Sequence, residues 1–131
     1  MIRVIVGPPC AGKSTYITEN AAPGDTIVDF DALAKAFGSI GHHDTPLPMR
    51  RVVQAARSAA IAQILMGRVE NAWVIDTDPT RMMQAQYRRA GAEIILLDPG
   101  LATCLERATA DERPDWTAEQ IRRWYRLRIT A

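Results

Sequence analysis

Residues Gly7-Pro8-Pro9-Cys10-Ala11-Gly12-Lys13-Ser14 fit the pattern Gly-x-x-x-x-Gly-Lys-Ser/Thr in full, and Thr15 follows directly. Each fixed position has a physical task in gripping a phosphate chain. Gly7 and Gly12 permit backbone angles and a close approach that a Cβ would forbid. The loop residues from Gly7 through Thr15 then wrap a phosphate, their free N–H groups pointing at it from the positive end of a helix. Lys13 puts a charge between the β- and γ-phosphates, and the Ser14 hydroxyl ligates Mg²⁺. The pattern predicts a nucleoside triphosphate as ligand, ATP with Mg²⁺.

A carboxylate pair and an arginine pair complete the chemistry-bearing set. Asp29 and Asp31 flank Phe30 just after a second short strand-like run. In an open parallel sheet that is the carboxyl edge, the same edge as the glycine loop. A carboxylate there can accept the proton of an attacking hydroxyl, hold Mg²⁺ through water, or simply cap the next helix. Arg107 and Arg113 flank Ala108-Thr109-Ala110-Asp111-Glu112, and Pro114 follows. Arginines on a segment that closes over a triphosphate neutralise charge on the transferring group. The expectation is a short lid, approximately 107–116.

The elements that must position these residues alternate along the chain. Ile2 to Val6 reads as a buried strand ending at the glycine loop, and Lys13 to Asn20 as the helix leaving it. Thr26 to Asp29, Ala72 to Ile75 and Glu93 to Leu97 read as further strands. Helices are expected from Asp31 to Phe37, from Pro48 to about Gly67, and from Leu101 to Ala108. Another should start at Pro79 with Asp78 as its cap and end at Gly91. Thr117 and Gln120 read as a capping box for a last helix carrying Ile121, Trp124 and Leu127. In the long helix, Val52, Ala55, Ala56, Ala59, Ala60, Gln63 and Ile64 form the apolar stripe, with Arg50 and Arg57 largely off it. Gly38 to Pro48 is a loop, long enough to be functional. Such alternation predicts an α/β fold, a parallel sheet flanked by helices on both faces.

Composition narrows the class. At 131 residues the chain fits one domain spanning 1–131, and 47% hydrophobic with 24% charged residues is an ordinary globular balance. No apolar run approaches the roughly 20 residues that cross a bilayer. With no signal peptide before the first strand, the expectation is a cytoplasmic protein without membrane or evident protein partner. A net charge of +1 announces no nucleic-acid field, although arginines come in pairs at Arg50-Arg51, Arg88-Arg89 and Arg122-Arg123. Arginine grips phosphate bidentately, so a polyanionic substrate stays open. Cys10 and Cys104 form neither a disulfide framework nor a zinc pattern. His42, His43 and Asp44 read as a solvated or substrate-facing loop rather than a metal corner. Trp73 and Trp116 read as packing residues, as do Trp124 and Tyr125 in preference to a base-stacking role.

Taken in order, these residues resemble the small P-loop kinase group, a P-loop NTPase-type fold, and most closely the bacteriophage-type polynucleotide kinase domain. In that family a strand-end Asp activates the 5′-hydroxyl, and Asp31 is the matching position. The run Val74-Ile75-Asp76-Thr77-Asp78-Pro79 is similar to the family's next strand end, and Arg107 to Arg113 to its basic lid. The resemblance implies transfer of a γ-phosphoryl group to a hydroxyl, best read as that of a polynucleotide or nucleoside. Asp31 would deprotonate the acceptor, Lys13, Arg107 and Arg113 would stabilise the transferring group, and Asp29 or Asp76 would reach Mg²⁺ through water. Ala34 stands where the family has an arginine, leaving Arg50, Arg51 or Arg57 to supply that charge. The Asp29-x-Asp31 spacing also resembles shikimate kinase, which makes a small-metabolite kinase the alternative. A nucleotide-binding switch without transfer is the third reading, and the absence of an Asn/Thr-Lys-x-Asp box argues against a GTPase.

Overall fold

A computed structural model describes residues 1–41 and 43–130. Four of the five residues in strand β1 (Ile2–Val6) are β-branched, a composition suited to a pleated, buried surface. Helix α1 (Lys13–Asn20) follows, then β2 (Thr26–Val28), α2 (Phe30–Ala36), α3 (Leu47–Leu65) and β3 (Ala72–Ile75). The described chain ends with α4 (Arg81–Arg89), β4 (Glu93–Leu96), α5 (Leu101–Ala110) and α6 (Trp116–Thr130). All strand pairs are parallel, in the order β2-β3-β1-β4, and Val4 stands between Val74 and Ile94.

Alternate residues of the sheet feed two apolar layers. Val4, Val6, Val28 and Val74 pack with Ile61 and Ile64 of α3 and Tyr87 of α4. On the opposite face Ile5 and Trp73 pack with Ile17 of α1. Burying each such side chain contributes about 1.5–3 kcal/mol, which is why strands covered on both faces read as unbroken apolar runs. The α/β expectation is met, with helices on both faces. Among the described residues no helix is long and apolar enough to cross a membrane.

This layering fixes where a cleft can open. β1 leads into α1 on one face, whereas its neighbour β3 leads into α4 on the other. The chain therefore leaves two adjacent strands in opposite directions, and a crevice forms outside their carboxyl ends.

Three local expectations are corrected. α4 is capped by Thr80, whose hydroxyl accepts from the Met83 amide at 3.1 Å, while Asp78 is drawn to Arg128 of α6 at 3.1 Å. Thr117 is no N-cap, because α6 already begins at Trp116. The buried stripe of α3 runs through Val53, Ile61 and Ile64, leaving Val52 at 59% exposure. Arg57 lies on the inward side of that helix because Asp76 and a strand-end carbonyl receive its guanidinium.

Candidate functional site

The glycine loop follows β1 and folds on itself through a turn, with Ala11 N–H donating to Pro8 O at 3.2 Å. Gly7 is required by proximity: a Cβ there would sit 2.5 Å from the Leu97 carbonyl oxygen. Gly12 is required by conformation, at φ 91°. Cys10 also lies in the left-handed region, at φ 65°, a strain of about 1–2 kcal/mol for a residue with a Cβ. The first amide of α1 to find a carbonyl is that of Tyr16, bonded to Gly12. The amides of Lys13, Ser14 and Thr15 have no acceptor among the described residues, and they carry the positive end of the helix.

Lys13 lies back along its own loop, its Nζ donating to Gly7 O at 2.7 Å and Pro8 O at 2.6 Å. Burial pushes its pKa down to about 8. Gly7 and Pro8 are thus beneath the loop, while Pro9 to Thr15 line a cleft of about 1100 Å³. The Ser14 and Thr15 side chains are exposed at its mouth. Arg107 leans on the same loop, donating from Nη1 to Cys10 O at 3.2 Å.

The neighbouring wall is acidic. Asp29 caps α2, accepting from the Asp31 amide at 3.1 Å. Burial, and then the Asp31 charge, raise the Asp29 carboxyl above its ordinary pKa. Asp31 is about half exposed, and its Oδ2 lies 3.0 Å from His43 Nδ1. Across the cleft, His43 Nε2 is 3.9 Å from Asp111 Oδ2, which accepts from Arg113 Nε at 2.6 Å.

At the end of β3, Asp76 Oδ2 accepts from the Tyr87 hydroxyl at 2.8 Å and lies 3.5 Å from Arg57 Nη2. The same Arg57 nitrogen donates to Ile75 O at 2.9 Å. Thr77 O accepts from Trp124 Nε1 at 2.8 Å, so α6 pins this strand end. Arg50, Gln54 and Arg57, at i, i+4 and i+7 of α3, all border the cleft. Arg51 does not.

Lys13, Ser14, Asp29, Asp31, Asp76, Arg107 and Arg113, read from four separate stretches of sequence, therefore meet at one cleft. Sequence reasoning missed His43 as a bridge, since its partners are 12 and 68 positions away. His42 lies outside the described residues. Trp116, expected to pack, is 42% exposed and borders the cleft. Trp124 is buried as expected, with its indole on Thr77. Thr117 is buried against the cleft with its hydroxyl unpartnered among the described residues, and Gln120 borders the same space. Their spacing was read as a capping box. No protein-family model matches the chain, and no curated protein matches it.

Proposed function

We propose that the chain is a phosphotransferase of the small P-loop kinase type, moving the γ-phosphoryl group of ATP to a hydroxyl acceptor. The observation that carries this reading is the convergence, at the switch point of a parallel sheet, of open helix amides and Lys13 with two carboxylates and two arginines. A phosphate binder alone uses at most one carboxylate, to hold Mg²⁺, and leaves the second without a task. A phosphoryl-transfer site needs both.

The roles follow from the surroundings of each group. The amides of Lys13 to Thr15 receive phosphate oxygens, and Lys13 exchanges two loop carbonyls for a polyanion that stabilises its charged form. Asp31, about half exposed and with its side chain bonded among the described residues only through Oδ2, accepts the proton of the attacking hydroxyl. The bond from γ-phosphorus to the β-bridging oxygen breaks as the new P–O bond forms, and ADP leaves. Arg107 and Arg113, on a segment that acts as a lid, meet the charge on the transferring group.

The donors fit a magnesium ion. Ser14 offers an exposed hydroxyl and Asp29 a half-buried carboxylate, both hard oxygens. Asp76 is the poorer candidate, because Tyr87 and Arg57 already occupy one of its oxygens. Among the described residues no three or more His, Cys, Asp or Glu side chains form a cage, so phosphate and water would supply the remaining ligands. Bound there, Mg²⁺ would neutralise phosphate charge.

The acceptor is best read as the 5′-hydroxyl of a polynucleotide or nucleoside, as the resemblance to the polynucleotide kinase domain implies. One observation favours the small-metabolite alternative: Arg57 is held by Asp76 and Arg51 lies off the cleft, leaving Arg50 as the α3 guanidinium on that wall. The deciding experiment supplies ATP labelled on its γ-phosphate, with Mg²⁺, to 5′-hydroxyl oligonucleotides, nucleosides and hydroxylated metabolites separately. Label on an oligonucleotide or nucleoside supports the first reading, and label on a metabolite alone supports the second. ATP binding with no transfer to any acceptor would turn the reading to a nucleotide switch.

A further inference from the structure

His43 lies on the connection between α2 and α3, with its backbone at φ 60°. That left-handed conformation suits His, Asn and Asp better than branched residues. Its ring is mostly buried, at 20% exposure, yet both neighbouring carboxylates are about half exposed. Those carboxylates come from different elements. Asp31 belongs to the first turn of α2, and Asp111 is the C-cap of α5. Asp111 in turn holds Arg113 at 2.6 Å. The ring thus connects the acidic wall to the arginine-bearing segment.

The geometry is asymmetric. Nδ1 is within hydrogen-bond distance of Asp31, and Nε2 is not within that distance of Asp111. Donation from Nδ1 orients Asp31, and because the Asp111 carboxylate can only accept, a contact at Nε2 needs a proton there as well, so the closed clasp holds the ring as imidazolium. Inward movement of residues 111–115 by under an ångström would complete the second contact.

We propose that His43 is a positioning residue that clasps the segment 111–115 to Asp31, so that closing the segment and orienting the carboxylate are one event. Its catalytic consequence rests on the phosphotransferase reading. The clasp itself does not. Through it, Arg113 arrives over the phosphates only when Asp31 faces the acceptor, which discourages transfer to water while the segment is open.

The test uses the full chain carrying His43→Ala, His43→Asn or His43→Gln. Asn puts a donor where Nδ1 lies and tolerates a positive φ, whereas Gln reaches toward the Nε2 position. Amide exchange of residues 109–116 reads the clasp, and steady-state kinetics with ATP and the accepted hydroxyl read its consequence. His43→Ala should speed exchange roughly 2- to 5-fold, the range for one half-exposed ionic contact. It should lower kcat with little change in the KM for ATP. His43→Asn should keep more of kcat than Ala while exchange stays fast, and His43→Gln should slow exchange with kcat still reduced. Equal losses in all three, tracking a common fall in Tm, would mean a merely structural role and would overturn the clasp. Unchanged exchange in His43→Ala would overturn it too, and large equal kcat losses then would point to His43 itself as proton acceptor. If no acceptor is ever phosphorylated, the phosphotransferase reading fails, and the exchange measurements still decide the clasp. Asp111→Asn provides a second route to the same loosening should the His43 variants fold poorly.

Discussion

The Nζ atom of Lys13 lies 2.6 Å from the carbonyl oxygen of Pro8, within the loop that it is proposed to serve. Two carbonyl dipoles partly compensate a buried ammonium, but not fully, and burial drops its pKa to about 8. A lowered pKa means that the folded chain binds fewer protons than the unfolded chain between about pH 8 and 10.5. The drag of Lys13 on stability is therefore greatest below pH 8 and fades as pH rises past the unfolded value. A phosphate chain reverses the imbalance by favouring the charged form. At about pH 9, ATP binding should take up close to one proton, and affinity should fall as pH rises above 8. Calorimetry in buffers of different ionisation enthalpy reads the uptake directly. Lys13→Ala should abolish both the uptake and turnover, and uptake that survives this change would show that Lys13 does not meet the phosphates.

Asp29 carries the opposite tension. Its carboxyl pKa is raised by burial and by Asp31, so its favourable contribution to folding exists at low pH and is lost as pH rises through the folded value. At neutral pH the ionised group is a burden on the fold. Asn caps a helix as well as Asp does, so Asp29→Asn should keep the bond to the Asp31 amide while removing the charge. We expect a Tm increase of about 2–5 °C together with slower transfer, the defect easing at high Mg²⁺. Asp29→Ala should lose that gain, because the cap itself contributes about 1 kcal/mol. Asp31→Asn should leave Tm nearly unchanged and cut kcat about 10²- to 10⁴-fold. A larger catalytic loss at Asp29 than at Asp31 would exchange their roles.

What the sequence made legible was whatever is encoded locally. The glycine loop, its helix and the four apolar runs each declare themselves within a few residues, so the α/β architecture could be read directly. Pairings across the chain could not. Arg57 looked like a surface residue because its partner, Asp76, lies just past the end of β3, 19 positions along the chain. Asp78 looked like a cap because Arg128, 50 positions away, is invisible to a local pattern. The Thr117 and Gln120 spacing satisfied a capping rule, yet the helix begins at Trp116, before Thr117, and both residues border the cleft. His43 belongs to the same class.

The Tyr87 hydroxyl completes the surroundings of Asp76, and its own ionisation is pushed upward by burial and by that carboxylate. Tyr87→Phe keeps the ring in the core and deletes one bond to a charged, mostly buried acceptor. Chemical denaturation should register a loss of about 1.5–3 kcal/mol with ATP affinity unchanged. Arg57→Ala should cost about 3 kcal/mol or more, because it leaves the Asp76 charge without its cation. Equal stability of wild type and Tyr87→Phe would mean that Asp76 finds another donor, and would reopen it as a magnesium ligand.

The three arginines at the start and middle of α3 separate the possible acceptors. Arg50 borders the cleft and anchors one nitrogen on Thr45 O at 3.2 Å, which leaves the rest of its guanidinium available. Arg51 faces away from the cleft, and Arg57 is committed to Asp76. If the acceptor is a single strand, each phosphate contact contributes about −0.7 to the slope of log K against log salt. Arg50→Ala should then weaken oligonucleotide binding and flatten that slope by about 0.7. Arg51→Ala should change neither quantity, and Arg57→Ala should act chiefly on stability. Binding titrations at a series of salt concentrations, with a short and a long oligonucleotide, provide the comparison. A loss at Arg51 as large as that at Arg50 would mean that the strand runs along the outer side of α3. A slope equal in wild type and Arg50→Ala, with transfer intact, would exclude phosphate recognition by this helix and move the acceptor toward a small hydroxylated metabolite. The Thr117 hydroxyl, unpartnered among the described residues, and the exposed Trp116 ring would then be candidates to recognise it.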